Sequence, residues 1–242
     1  MRFEDWLALR EPADAAARSR ELVELLPPAG SHVIHDLGCG TGSMGRWLAP
    51  LLPGPQHWIL HDRDPDLLAV AAATGGEPRQ SDITRLDPSD LPGATLITAS
   101  ALLDMLTGDE LTRLVRLCVD AGCPALLTLS VVGRVELTPA DPLDRRVEAA
   151  FNDHQRRGGR LGPDAPGVAR EQFEQLGAQV IARPSPWRLG PAQAELAAQW
   201  FSGWVGAARE QDPELAAATG VYTRASAVVH HADLLVLPRS GG

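Results

Sequence analysis

The sequence predicts an α/β protein: a doubly wound, mostly parallel sheet of seven strands, with helices on both faces and additional helical segments. Short apolar runs alternate with amphipathic helical segments through the first 133 residues, an order that builds a parallel sheet. A glycine-rich turn follows the first apolar run, where such sheets bind ligands. The run at 125–132 is apolar at nearly every position, which is typical of a strand covered on both faces.

Length and composition indicate one domain, 1–242. The chain has 242 residues, of which 44% are apolar, enough for a sizeable core. No apolar run reaches the roughly 18 residues of a membrane span, and the charged start M-R-F-E-D-W lacks the apolar centre of a signal peptide. We therefore expect no membrane partner and a cytoplasmic location.

The charge pattern argues against several classes of function. The formal net charge is −9, and all 22 basic residues are arginine. An acidic chain argues against sequence-independent binding of nucleic acid, and a chain without lysine forms no Schiff base. Cys39, Cys118 and Cys123 have no metal-ligand spacing, so we expect reduced structural thiols and no metal site.

The most informative stretch runs from Val33 to Gly42 and reads V-I-H-D-L-G-C-G-T-G. Its first residues predict a buried strand, and the segment Ser43–Leu52 follows with helical spacing of its apolar residues. Glycines tolerate positive φ and allow a ligand to approach the backbone closely. A strand, a glycine-rich turn and a helix start form a cradle for a nucleotide-like ligand. A strand-to-helix turn without a ligand is the alternative.

Within this stretch, D-L-G-C-G-T-G resembles motif I of the class I S-adenosylmethionine (SAM)-dependent methyltransferases. Ser43 stands where the dinucleotide fingerprint G-x-G-x-x-G needs its third glycine, which disfavours a nicotinamide oxidoreductase. The resemblance implies a Rossmann-like SAM-binding fold, SAM as cofactor and S-adenosylhomocysteine (SAH) as product. On this resemblance we expect four loop residues to shape the methionine and ribose side of the cofactor site: Asp36, Gly38, Gly40 and Gly42. We also include Cys39, where the loop needs a small residue, in the predicted cofactor site.

The second strand, predicted at Trp58–His61, is followed by an acidic residue. Asp62 lies 20 residues beyond the last glycine of the loop, about where a Rossmann-like site holds the ribose hydroxyls. A carboxylate accepts two hydrogen bonds at once; a solvated turn residue is the alternative. Arg63 is a candidate for flanking the adenine, and Asp64 predicts the cap of a helix that begins at Pro65.

The resemblance continues, with one departure, over the next two strands. It implies that Asp82 accepts a hydrogen bond from the adenine amino group and that the Ile83 N–H meets a ring nitrogen. The fourth strand, Ala94–Ser100, resembles motif IV, and we include Ser100 in the predicted cofactor site. Where the family often has two histidines this chain has Asp104-Met105, so no catalytic histidine is carried over.

Later elements complete the predicted sheet. Thr107 and Glu110 form a capping box for a helix at 109–119. After it we predict the fifth strand at 125–132, a helix at Val168–Leu176 that stops at Gly177, a strand at Gln179–Arg183 and a last strand at Ala227–Leu237.

Residues 30–133 are the predicted cofactor-binding half, and three further segments are candidate covers for a methyl acceptor: a helical cap at 1–29 and insertions at 134–167 and 191–222. In similar methyltransferases the cap lies over the cofactor pocket; the alternative is that it only covers the sheet. The first insertion holds a predicted helix, Pro142–Arg157. In the second, Trp200 and Trp204 are i,i+4 neighbours. With Tyr222 they form either an aromatic wall for the acceptor or packing in a core or subunit interface.

The chemical step is harder to predict than the cofactor site. The SAM sulfonium makes the methyl carbon electrophilic, so orientation contributes much, and a general base is needed only if the acceptor must lose a proton. Candidate bases are Asp104, after the fourth strand, and His154, in the helix of the first insertion. A surface carboxylate and an exposed histidine are the respective alternatives.

Four further histidines are predicted to be structural. His230 and His231 are neighbours in a strand, so their rings point to opposite faces and cannot share a metal ion. His35 and His61 also lie in predicted strands.

We therefore predict a SAM-dependent methyltransferase that acts on a small-molecule acceptor. One alternative is methylation of RNA or protein, although the acidic charge argues against RNA. Another is a partner protein that binds SAM without turnover. The acceptor, the attacked atom and the oligomeric state, including a homodimer, stay open.

Overall fold

A computed structural model describes residues 2–219 and 224–238 of the chain. The helices are α1 Phe3–Ala17, α2 Arg20–Glu24, α3 Ser43–Leu48, α4 Pro65–Ala72, α5 Gly108–Ala121, α6 Asp144–Gln155, α7 Ala165–Gln175, α8 Ala194–Gln211 and α9 Leu215–Ala218. The strands are β1 His32–Leu37, β2 Gln56–Asp62, β3 Glu77–Gln80, β4 Leu96–Ser100, β5 Ala125–Thr138, β6 Gln179–Pro184, β7 Trp187–Leu189 and β8 Ser226–Leu237.

The strands form one sheet in the order β3-β2-β1-β4-β5-β8-β6, with the short strand β7 paired to β8 outside this order. Neighbours from β3 to β5 are parallel, and β8 runs antiparallel to β5, β6 and β7. The predicted doubly wound sheet of seven strands is confirmed as the main order. Strand β7 was not predicted, because three residues are too few to show an alternating pattern.

Helices cover both faces of the parallel half. On one face, α5 and α7 bury Leu111, Leu114 and Phe173 in a core against the strands. On the other, α2 and α3 bury Leu22 and Leu48. The first six residues of β5 are all buried between these layers, which explains their apolar character. None of the described helices combines the length and apolarity needed to cross a membrane.

Local signals place the helix ends as predicted. The Asp64 carboxylate accepts hydrogen bonds from two N–H groups of the first turn of α4, which begins at Pro65. Thr107 and Glu110 form the capping box of α5. These bonds satisfy N–H groups that have no partner inside a helix. Gly177, with φ +83°, follows the end of α7.

The fifth strand is longer than the predicted 125–132, because two irregularities let it bend and continue. Its register with β8 shifts between Leu127 and Ser130 and again between Val131 and Val135. Each shift includes a residue of positive φ, Leu129 or Gly133, as is common in bulged strands. The extension to Thr138 carries the sheet beyond its parallel half.

This extension pairs with the first half of β8, which also pairs with β7, and α6 and α8 pack on this part of the sheet. Their shared core includes Val147, Leu189 and Trp204. The rings of Trp200 and Trp204 stack there with centroids 5.5 Å apart. The structure therefore favours core packing over an aromatic acceptor wall for this pair; Tyr222 lies outside the described residues.

Three of the four histidines that are buried in the sheet, His35, His61 and His231, have lowered pKa values. His35 Nδ1 lies 3.0 Å from His61 Nε2, and the rings stack. Burial lowers the pKa of His61 to about 4 and that of His231 to about 3. All three therefore stay neutral near pH 7, as structural residues. His230, on the opposite face from His231, is half-buried and contacts Glu136.

We predict that His231→Gln gains stability relative to the wild type as pH falls below about 6.5. The unfolded histidine takes up a proton near pH 6.5, whereas folded His231 stays neutral to about pH 3. Between pH 7.5 and pH 5, this difference lowers the free energy of unfolding of the wild type by about 2 kcal/mol, and the variant does not have this loss. Urea unfolding at both pH values measures this.

Buried carboxyls such as Asp233 are present in both proteins, so their titration cancels when the free energies of unfolding of variant and wild type are subtracted. The raised pKa of Asp233 by itself would increase stability as pH falls, the opposite of the effect of His231. His57→Gln, at an exposed histidine, is the matched control and should follow the wild type. An unchanged difference for His231→Gln between the two pH values would contradict a buried neutral imidazole.

Candidate active site

A cavity of about 590 Å³ opens at the carboxyl ends of β1 to β4, with α1 as one wall. Open α/β sheets bind ligands at this edge, and the volume is typical of small-molecule sites. Nine of the ten predicted cofactor residues line it: Asp36, Gly38, Cys39, Gly40, Asp62, Arg63, Asp82, Ile83 and Ser100.

The glycine loop brings bare backbone to the cavity. Gly38 and Gly40 have φ values of +68° and +54°, a region that side chains strain. A Cβ at Gly38 would lie 3.2 Å from Leu102, and one at Gly40 would lie 3.3 Å from Leu7. Gly42 does not line the cavity; it turns the chain into α3, and a Cβ there would lie 3.3 Å from the backbone of Ala71.

Asp36 is a buried carboxylate with one unsatisfied oxygen. Its Oδ1 accepts a 2.7 Å hydrogen bond from the Thr98 hydroxyl, and its Oδ2 has no partner among the described residues. The side chain is 1% exposed. Burial raises its pKa to about 6, although the Thr98 hydrogen bond and the charge of Arg18 oppose the rise. A buried acceptor without a donor, beside a cavity, is suited to a cationic or N–H group of a ligand.

Asp62 stabilises the loop and the start of α4 together. Its Oδ2 accepts from the Gly40 N–H at 2.9 Å, and its Oδ1 accepts from the Asp64 N–H at 3.0 Å. Each oxygen keeps a second lone pair for a ligand. The spacing of 20 residues from Gly42 therefore has a geometric cause, because Asp62 ends the strand next to the loop.

Asp82 lies at the end of the cavity formed after β3. Its Oδ1 accepts from the N–H and the hydroxyl of Thr84, at 3.0 and 2.7 Å. These hydrogen bonds lower its pKa, so it is ionised at neutral pH. Ile83 follows in the same turn, and Arg63 is exposed at this end of the cavity.

The cap lies over the cavity, one of the two alternatives that the sequence left open. Phe3, Leu7, Arg10 and Asp14 line it from one face of α1. Their spacing of three or four residues is the signal that could have identified this face. Of the insertions, Gly158 and Arg160 reach the cavity, and none of the described residues of 191–222 does.

Arg18, which no sequence pattern indicated, connects the cap to the residues below the cavity. Arg18 is 3% exposed, and its Nη2 donates hydrogen bonds to the hydroxyls of Ser43 and Ser100 at 3.1 and 3.0 Å. Both serines line the cavity. Burial lowers the pKa of Arg18, and nearby carboxylates, first Asp14 and then Asp36, oppose this.

The two predicted bases lie apart. Asp104, in the turn after β4, is half-buried beside the cavity but does not line it. Burial raises its pKa, and Arg10 and Arg160 partly offset this. His154 lies on α6, where its Nε2 is 3.1 Å from a carboxylate oxygen of Glu210 on α8, away from the cavity lining.

The backbone is strained where the cavity meets β4. Ala101, which lines the cavity, has φ +52°, an uncommon value for a residue other than glycine. Its N–H donates to the Thr128 carbonyl at 2.9 Å. Strain of this kind often marks functional sites. No group of three or more His, Cys, Asp or Glu in the described ranges is arranged to hold a metal ion.

Comparisons with known proteins agree on the fold. No protein-family model matches the chain, and no curated protein matches its sequence. A SAM-dependent methyltransferase structure from Mesorhizobium loti is 21% identical, with 91% of this chain and 99% of that chain covered and a TM-score of 0.51. A cyclopropane synthase from Mycobacterium tuberculosis is 12% identical, with 89% and 81% covered and a TM-score of 0.54.

A mycolic acid cyclopropane synthase in complex with SAH and CTAB is also similar. It is 12% identical, with 96% of this chain and 94% of that chain covered and a TM-score of 0.56. At identities of 12–21%, structural similarity of this kind establishes the fold alone. The chain thus has the Rossmann-like fold found in SAM-dependent methyltransferases, which confirms the predicted fold class.

We predict that Asp36→Asn stabilises the protein at pH 7.5. The folded pKa near 6 lies above the unfolded value of 3.8, so ionised Asp36 costs the fold on the order of 3 kcal/mol well above pH 6. This cost disappears as pH falls towards 4, because the folded carboxyl is then protonated. Urea unfolding should show an advantage of the variant that is largest at pH 7.5 and small at pH 4.5.

Asp66→Asn, at an exposed position on α4, is the control and should change stability by less than about 0.5 kcal/mol. If Asp36→Asn instead destabilises the protein at pH 7.5, the ionised carboxylate is stabilised by contacts beyond the Thr98 hydrogen bond and the charge of Arg18.

Proposed function

We propose that this protein is a SAM-dependent methyltransferase that transfers a methyl group to a small-molecule acceptor. The observation that carries the proposal is the buried Oδ2 of Asp36, which has no hydrogen-bond partner in the described part of the chain and lies beside a cavity that bare glycine backbone also lines. The shared fold supports it but does not identify a cofactor.

The residues present fit SAM at each part of the molecule. The free oxygen of Asp36 would accept a hydrogen bond from the ammonium group of the methionine end, and Asp62 would bind the ribose hydroxyls. Asp82 and the backbone of Ile83 would contact the adenine. Gly38 and Gly40 leave space against the main chain, where a side chain would meet Leu102 or Leu7.

In this mechanism the chain binds, orients and encloses. SAM, when bound, supplies an electrophilic methyl carbon on its sulfonium. The α1 wall limits water at the site and, with the turn after β4, holds the acceptor in line, which contributes several kcal/mol through effective concentration. The serine hydroxyls of Ser43 and Ser100, fixed by Arg18, keep the cavity floor in place.

Asp104 is the base that we propose for an acceptor that must lose a proton. It lies beside the cavity, and burial raises its pKa towards the range where a carboxylate takes up a proton readily. His154 has no part in this proposal, since its imidazole contacts Glu210 away from the cavity lining.

A small-molecule acceptor fits the cavity better than RNA or a protein chain. The acceptor side lies under α1, and the net charge of −9 opposes a polyanion. Turnover of labelled SAM with a panel of small acceptors tests this and distinguishes an enzyme from a non-catalytic SAM-binding protein. Turnover with RNA alone would overturn the assignment of the acceptor class.

We expect Asp62→Ala to weaken SAM and SAH binding at least about tenfold, because two hydrogen bonds between a carboxylate and the ribose are lost. Isothermal titration calorimetry measures the affinity. Circular dichroism checks that the variant is folded, since Asp62 also accepts from Gly40 and Asp64.

Asp66→Ala, four positions along the chain and outside the cavity, should bind like the wild type. Unchanged SAH affinity in a folded Asp62→Ala variant would remove Asp62 from the site.

A further inference from the structure

The α1 side of the cavity carries apolar side chains that face solvent. Phe3 from α1 and Met105 from the turn after β4 both line it, with exposed fractions of 62% and 51%. These are the two highest exposures among the large apolar side chains of the described residues. Exposed apolar groups from distant parts of the chain that converge on one cavity indicate a surface for an apolar ligand.

One cationic side chain lies beside these apolar groups. Arg160 lines the cavity and is exposed, and its guanidinium has no hydrogen bond or ion pair with any residue of 2–219 or 224–238. Its neighbours in sequence are engaged elsewhere: Arg156 bonds to Asp164 and Arg157 to Gln211, each at 2.7 Å. Arg160 is thus left available to a ligand.

The backbone that carries Arg160 is fixed next to Met105. Arg160 forms an antiparallel bridge with Thr107, and the Leu161 N–H donates to the Leu106 carbonyl at 2.8 Å. The preceding Gly158 has φ +69°, which lets the chain turn towards the cavity. The guanidinium of Arg160 therefore extends from a segment whose backbone is fixed by hydrogen bonds.

The acidic groups on this side already have partners. Asp14 forms an ion pair with Arg10 at 2.9 Å and accepts from the Trp187 indole N–H at 2.9 Å. Glu110 accepts from the N–H and the hydroxyl of Thr107.

Asp104 remains as a half-buried carboxyl within electrostatic reach of Arg160, beyond ion-pair distance. Among the described residues, Arg160 is therefore the cationic group on this side that lacks a direct partner, since Arg10 is paired with Asp14.

We propose that Arg160, Phe3 and Met105 select an acceptor with an apolar body and one oxyanion group such as a carboxylate. The guanidinium fork matches the two oxygens of a carboxylate. Phe3 and Met105 contact the apolar body, where the thioether and the aromatic ring both adapt to flat or chain-like groups. The inference rests on the proposed function, because it assigns this side of the cavity to the methyl acceptor.

Three probes with one body and different charges test the proposal: 4-phenylbutyrate, 4-phenylbutanamide and 4-phenylbutylamine. Their binding to the SAH-saturated protein is measured by ligand-observed NMR titration. We expect the acid to bind about tenfold more tightly than the amide, and the amine most weakly, since a charge-assisted pair is worth about 1.5 kcal/mol or more.

Arg160→Gln should abolish the preference for the acid and leave amide binding unchanged. Arg145→Gln removes an exposed arginine on α6 outside the cavity, carries the same charge change and should keep the preference. Phe3→Ala should weaken all three probes. A preference that survives Arg160→Gln, equal binding of the three probes, or no saturable binding of any of them would overturn the proposal.

SAH affinity is measured separately by calorimetry for each variant. If the wild type does not bind SAH, the proposed function fails. If SAH binds with the same affinity in all variants and the acid preference is absent, only the selection of an anionic acceptor fails.

Discussion

The position of the cavity wall depends on one buried cation. Arg18, directly after α1, donates to Ser43 of α3 and to Ser100 of β4. Removing a guanidinium from water costs several kcal/mol unless nearby charges and hydrogen bonds compensate. Here Asp14 and Asp36 supply opposite charge, so the cap, the glycine loop and the fourth strand are stabilised at one point.

Asp233 connects the segment after α1 to the antiparallel half of the sheet. Its carboxylate accepts from the N–H of Ser19, next to Arg18, and from the N–H of Leu129 in the bulge of β5, both at 2.8 Å. Three buried atoms without a hydrogen-bond partner among the described residues lie near the carboxyl edge of the strands: Nε and Nη1 of Arg18 and Oδ2 of Asp36. Buried polar atoms are usually bonded. Other exceptions, such as the indole N–H groups of Trp47 and Trp204, lie elsewhere in the described residues, whereas Oδ2 of Asp36 lies where we propose that a ligand binds.

The features that could be predicted from the sequence are those that neighbouring residues determine by themselves, such as turns and helix starts. Three glycines after a buried strand can only be a tight turn near other groups, and the structure gives all three positive φ. Asp64 before Pro65, and Thr107 before Glu110, specify helix starts because they satisfy orphan N–H groups. Asp62 could be placed from its distance to the loop, because parallel neighbours end at the same edge.

Features set by distant partners could not be predicted. The pattern of α1 fits a helix over the cavity or over the sheet alone, and the burial of Arg18 among residues far along the chain decides between them. The helix of His154 was predicted correctly, but its contact with Glu210 depends on the packing of α6 on α8. The stacked Trp200 and Trp204 pair was ambiguous for the same reason.

We propose that the carboxyl edge of β1 to β3 binds an adenosyl amino acid through Asp36, Asp62 and the glycine loop. Calorimetric titration of the chain with SAH and, separately, with NADH tests it most directly. We expect saturable binding of one SAH per chain and no binding of NADH. Binding of NADH without binding of SAH would contradict it.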